Sequence, residues 1–233
     1  MVSFRIAVVA SALSVVFTAG ADTAPLFENG RTEWTAVVAA DAPPCVRYAA
    51  REFTNAVFRV SGASVPVVAS DEGVRHAVRF VAEGDEWGKE RVRYALRDGD
   101  LVFAGNQPRA VLLATYAFLQ RELGCRWLWP GEDGAFYPSA KAWSFPEGFG
   151  YAHVPSVWFR GFHHCGDHRD VRGFIEWETR NFVNIHRHGN ASWDLHFGHY
   201  SMPSMHNANL NGEDKLFKEH PECFAQLGGK RSM

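Results

Sequence analysis

Ten of the eleven histidines fall between His153 and His220, with His76 alone before them. Within that stretch His163, His164, Cys165, His168, His186, His188, His196 and His199 carry imidazole or thiol groups of the kind that ligate zinc. A zinc site needs three or four such groups to converge. The spacings that bring them together locally, a His-Glu-x-x-His helix or a Cys-x-x-Cys knuckle, do not occur in the sequence. No metal site is therefore assigned; polar loop histidines without a metal are the plainer reading, and a His-ligated metal-dependent hydrolase ranks third among the functions considered. The acids of the same stretch, Glu176, Glu178, Asp194, Glu213, Glu219 and Glu222, are read as solvated charges. Cys45, Cys125, Cys165 and Cys223 are too few and too scattered for a disulfide scaffold, so buried free thiols are preferred to a bridge.

The elements that must hold these groups belong to an ordinary globular chain. Apolar residues make up 46% of the 233 residues, aromatics 14% and charged residues 21%, a composition that excludes disordered, collagenous and coiled-coil classes. The formal charge of −2 and the lack of a Lys/Arg run exclude a nucleic-acid partner from the expectations. Arg5, the apolar run Ile6 to Phe17 and the small residues Ala19-Gly20-Ala21 make residues 1–21 a secretory signal peptide. Export to the periplasm or the medium follows, with no membrane association of the mature form. The apolar run is short for a span of about 20 residues.

Two helices and several strands are legible before residue 130. Pro43-Pro44 opens a helix whose apolar positions Val46, Ala49, Ala50, Phe53, Val57 and Val60 keep helical spacing, and Ser61-Gly62 stops it. A second helix runs from Pro108 to Leu123 with Val111, Leu112, Thr115, Phe118, Leu119 and Leu123 on one face and Gly124 placed as a cap. Strands are expected at Trp34 to Ala39, Val65 to Val68, Ala77 to Ala82, Arg91 to Leu96 and Leu101 to Ala104, the last two joined as a hairpin by Asp98-Gly99-Asp100. This order describes an α+β domain with helices on one sheet. Trp127 and Trp129 flank Leu128 at period two, which points both indoles to one face, for packing. Residues 130 to 155 hold eight prolines and glycines and read as an irregular connection, with a domain boundary near 152. Beyond it, Val157 to Phe162 reads as a strand, His163 to Asp170 as a polar loop, Val171 to Phe182 as a helix and Val183 to His186 as a second strand, followed by a short helix around Glu213 to Phe217.

The series Leu101-Val102-Phe103-Ala104-Gly105, Pro108-Arg109, Ala114 to Leu119, Leu123-Gly124-Cys125-Arg126-Trp127, Pro130-Gly131 and Tyr137-Pro138 resembles the accessory N-terminal domain of bacterial α-glucuronidases of glycoside hydrolase family 67, a domain that also precedes β-hexosaminidase barrels. It is closer still to exported bacterial proteins that join this domain to a glycoside-hydrolase-like (β/α)8 barrel. That pattern continues through Arg160, through Trp177, Arg180, Asn181 and Asn184, and through His220-Pro221-Glu222 and Gly229-Lys230-Arg231. Ala110 departs from it, standing where the family more often has glycine.

The resemblance implies three regions: the signal at 1–21, an α+β domain with its linker at 22–152, and at 153–233 the first βα units of an incomplete (β/α)8 barrel. Two units cannot close a barrel, and the stretch Gly228 to Met233 is expected to end in mid-pattern without a helix or strand. The implied function is that of the N-terminal portion of an exported glycoside hydrolase acting on polysaccharide, α-glucuronidase-like or hexosaminidase-like, and inactive as it stands. Glycoside hydrolysis needs two carboxylates across the scissile bond. No catalytic residue and no cofactor is assigned in this chain. Substrate contacts are expected from Arg160, His163, His164 and Asn181, since barrel strand ends build the active site and a guanidinium there can pair bidentately with a uronate carboxylate. A structural ion pair is the competing role for Arg160. The alternative function is a noncatalytic carbohydrate-binding or interaction module.

Overall fold

A computed structural model describes residues 23–84, 88–158, 160–161, 171–186, 200–201, 217–223 and 226–231. Residues 1–21, expected as a signal peptide, lie outside these residues, as do His163, His164 and most of the histidine-rich stretch. Strand β1 (Phe27–Glu28) leads to β2 (Trp34–Val37), then helix α1 (Pro44–Ser61), β3 (Val67–Val68), β4 (His76–Ala82), β5 (Val92–Arg97), β6 (Asp100–Gly105) and helix α2 (Pro108–Arg121). Short strands β7 (Arg126–Trp127), β8 (Ala135–Phe136) and β9 (Ala142–Trp143) follow, and β10 (Gly150–His153) returns to the main sheet.

That sheet has six strands in the order β10-β5-β6-β4-β2-β3. The β2, β3, β4 and β6 pairings are parallel, because α1 carries the chain back from β2 to β3, while β5 and β10 run antiparallel. The β5–β6 turn uses Asp98 at φ 51° and Gly99 at φ 87°, the left-handed pair that a two-residue hairpin loop requires. Register puts Phe80 opposite Phe103 and Phe103 opposite Tyr94, so one row of rings crosses the sheet. Phe53 of α1 lies 5.4 Å from Phe103, and Phe118 of α2 lies 5.3 Å from Phe103 and 5.5 Å from Tyr94. Both helices therefore cover the same face, and the architecture is α+β as expected.

Proline begins both helices. Gly62 at φ 78° ends α1 with its amide on the Phe58 carbonyl at 2.8 Å, and the six apolar positions expected to face the core are all buried. For α2 the single apolar face read from sequence is only half of what forms: every residue from Arg109 to Leu119 is buried. The sheet and α1 cover one side, and helix α3 (Val171–Arg180) covers part of the other, with Ile175 inside the common core.

Several expectations are corrected. Trp127 is buried but Trp129 is exposed, because β7 ends at Trp127 and the chain turns there, the Leu128 amide bonding the Gly134 carbonyl at 2.8 Å. The segment 130–155 is not wholly irregular, since its end forms β10, paired residue for residue with β5 from Gly150 opposite Ala95. Helix α3 stops at Arg180, and Phe182 adopts φ 65° two residues later. Among the described residues of 157–162 no regular strand forms. The Asn184 amide donates to the Arg160 carbonyl at 2.9 Å, the Arg160 amide to Asn184 Oδ1 at 2.8 Å, and β11 (Ile185–His186) pairs in parallel with β12 (Tyr200–Ser201). The end of the chain is not without structure either: β13 (Gln226–Leu227) and β14 (Lys230–Arg231) form a small antiparallel pair across Gly228-Gly229. Among the described residues no closed barrel forms.

Candidate functional site: a buried ionic junction

Where α3 and its flanking segments meet the sheet and helices, the carboxylates of Glu52, Glu90 and Glu178 are buried, and the first two are paired with arginines. Glu90, fully buried just before β5, accepts from Arg160 Nη2 at 3.0 Å on Oε2, and from Arg109 Nε at 3.3 Å and Asn184 Nδ2 at 2.9 Å on Oε1. Arg109, at the first turn of α2, also reaches the Val183 carbonyl at 2.5 Å. Glu52 of α1 accepts from Arg180 Nε at 3.0 Å and from the Tyr116 hydroxyl at 2.9 Å. The Arg180 guanidinium carbon also sits 5.4 Å from the centroid of the Trp127 ring. Burial is offset here by charge pairing and neutral donors together, the only condition under which buried ions are tolerated.

The expected substrate residues divide. Arg160 is placed in the junction: Nε donates to the Phe182 carbonyl at 2.8 Å, Nη1 to the Val157 and Trp158 carbonyls at 3.0 Å each, and Nη2 to Glu90. A substrate carboxylate at Arg160 would compete with Glu90. Asn181 is exposed at the end of α3 and donates from Nδ2 to the Trp127 carbonyl at 3.1 Å and the Trp177 carbonyl at 2.8 Å. The structure does not bring Asn181 and Arg160 into contact through any of these bonds. His163 and His164 lie outside the described residues.

Beside the junction is a cleft of about 180 Å³, lined by Val92, Leu113, Tyr151, His153, Pro155, Arg160 and Phe182. It is largely apolar, with His153 and Arg160 as its charged or chargeable groups. Tyr151 and His153, two residues apart on β10, hold their rings nearly parallel, 20° apart at 6.1 Å. Among the described residues no carboxylate lines this cleft. Glu178 of α3, expected as a solvated charge, is instead buried, and burial pushes its pKa up to about 8. Among the described residues no group of three or more His, Cys, Asp or Glu side chains is placed to hold a metal ion.

The junction was only partly visible in the sequence. Arg160, Arg180 and Asn184 stand out in motifs, but their partners Glu52 and Glu90 do not. Glu52 could have been found: it falls in the buried stripe of α1 between Tyr48 and Phe53 on one side and Ala56 on the other, where a carboxylate must be paired. Arg109, inside an otherwise apolar helix, carries the same signal.

A solved structure described as a novel family GH115 4-O-methyl-α-glucuronidase, BtGH115A, with specificity for decorated arabinogalactans is similar to this chain with a TM-score of 0.53 at 12% identity. The likeness covers 88% of this chain and 35% of that one, so the chain spans about a third of its solved neighbour. No family model matches the sequence, and no curated protein does.

Proposed function

We propose that this chain is the N-terminal portion of an exported glycoside hydrolase of the α-glucuronidase or hexosaminidase kind, acting on polysaccharide and contributing no catalytic carboxylate of its own. The observation that carries this reading is the extent of the structural likeness, which at 88% of the chain must include both the sheet domain and part of the chain beyond it. The carbohydrate partner, the removal of residues 1–21 on export and the incipient barrel after 153 belong to the same proposal. Arg160, His163, His164 and Asn181 are proposed as sugar contacts, Arg160 through whatever donor capacity Glu90 leaves it. No cofactor enters.

A titration of the isotope-labelled full chain with methyl α-D-glucuronide and, separately, N-acetylglucosamine tests it. The expected result is saturable shifts at the side-chain signals of Arg160 and Asn181 with one of the two sugars, and no turnover of an aryl-glycoside panel. Absence of shifts with both sugars overturns the glycan reading, and turnover overturns the claim that the catalytic carboxylates lie elsewhere. A noncatalytic carbohydrate-binding module is the second reading, favoured by the aromatic lining of the cleft by Tyr151 and Phe182.

A further inference from the structure

Glu90 differs from an ordinary buried ion-pair partner in what its two oxygens join. Oε2 takes Arg160, while Oε1 takes Asn184 together with Arg109. Arg160 and Asn184 lie on two separate stretches of chain, before and after α3, joined by one backbone–backbone bond, Asn184 N–H to the Arg160 carbonyl, and by three bonds through these two side chains: Arg160 N–H to Asn184 Oδ1, Arg160 Nε to the Phe182 carbonyl and Asn184 Nδ2 to the Trp158 carbonyl. A single backbone–backbone bond is a weak constraint on register, so the alignment rests on the side chains of Arg160 and Asn184.

The carboxylate itself is rigidly mounted. The Arg91 amide donates to Asn106 Oδ1 at 2.7 Å, Asn106 Nδ2 donates to the Lys89 carbonyl at 3.2 Å, and Gln107 Nε2 donates to the Gly88 carbonyl at 3.2 Å. Residues on both sides of Glu90 are thus tied to the loop that opens α2, and that loop is fixed in turn by the close approach of Gly105, where an added Cβ would lie 2.4 Å from Ala110 Cβ.

We propose that Glu90 is a register-setting residue: a fixed carboxylate of the sheet domain that gauges the alignment of the stretch holding Arg160 against the stretch holding Asn184 by accepting one side chain from each. A slip of one residue would replace Arg160 by Gly161 at its Oε2, leaving a buried charge without one of its three named partners. The alignment is thereby chosen by charge where the backbone ladder is too short to choose it. This holds whether or not the chain acts on glycans.

Hydrogen exchange of the full chain, resolved by residue, tests the proposal at the two reporter amides. In the wild type the Arg160 and Asn184 amides should exchange at similar rates, at least about a hundredfold slower than in an unstructured peptide. In Glu90→Gln both should accelerate by about tenfold or more, while the β4 and β6 amides change less than about threefold. Glu90→Asp keeps the charge but shortens its reach, and should show the same local pattern in weaker form even if Glu90→Gln does not fold. Uniform acceleration across the sheet in either variant, an unchanged pair of reporter amides in Glu90→Asp, or wild-type reporter rates near those of an unstructured peptide would each overturn it.

Discussion

Replacing Arg180 by methionine should be among the most damaging single substitutions in the chain. Arg180 is buried, its guanidinium forks onto Glu52 through Nε at 3.0 Å and Nη2 at 2.9 Å, and its backbone carbonyl accepts from Gln120 Nε2 at 2.6 Å. The substitution leaves Glu52, itself buried, with the Tyr116 hydroxyl as its remaining named donor. Breaking a buried pair from one side costs about 3–5 kcal/mol, because the partner's charge keeps its desolvation penalty and loses its compensation. Domains of this kind are stable by about 5–15 kcal/mol, so the loss is a large fraction of the whole. Glu52→Met should cost a similar amount. The double variant Glu52→Met/Arg180→Met should be much less damaged than the sum of the two, with a coupling of about 3 kcal/mol, since no uncompensated charge remains. Urea unfolding followed by tryptophan fluorescence reads all four proteins, and Trp127, against which Arg180 sits, places a probe at the pair. Additivity of the two single effects to within about 0.5 kcal/mol would refute the view that this pair holds α3 to α1 and α2.

Three further outcomes follow from the same geometry. Burial holds the folded-state pKa of Glu178 near 8 against 4.5 for the free side chain, so unfolding releases its proton between those values; stability should fall by a few kcal/mol as pH rises from about 4.5 to 8, and Glu178→Gln should flatten that slope in chemical-denaturation curves. Gly105→Ala should cost about 1–3 kcal/mol in the same assay, because its Cβ would stand 2.4 Å from Ala110 Cβ and 2.8 Å from the Ala110 carbonyl carbon. Cys45 and Cys125 are buried with thiol pKa values raised by burial, Cys125 to about 12, so neither should react with a thiol-exchange reagent at neutral pH until the protein unfolds, which mass mapping of the labelled sites would verify.

Local chemistry made the elements of the sheet domain legible. Prolines at helix starts, glycine after α1 and the Asp98-Gly99 turn act within a few residues, and all three do in the structure what their chemistry predicts. What sequence reading missed depends on partners distant in the chain. The burial of α2 on all sides, from Arg109 to Leu119, emerges only when the sheet, α1 and α3 are assembled around it, partners that lie far from it in the chain. Trp129 was misplaced because period two was extended beyond a strand that ends at Trp127. Arg160 was recognisable as special, yet its type and position fit a substrate arginine and an ion-pair arginine equally; Glu90, 70 residues earlier in a stretch without motif character, supplies the difference.

The described residues from β2 through Asn184 form one packed body, with Glu52 holding α3 and Glu90 holding the segments on either side of it. Native-state hydrogen exchange of α3 measured against α2 tests it most directly. The slowest amides of Ile175 to Arg180 should open together with those of Val111 to Leu119, their opening free energies agreeing within about 1 kcal/mol and falling together as urea is added. Exchange of the α3 amides at rates near those of an unstructured peptide, while α2 stays protected, would contradict it.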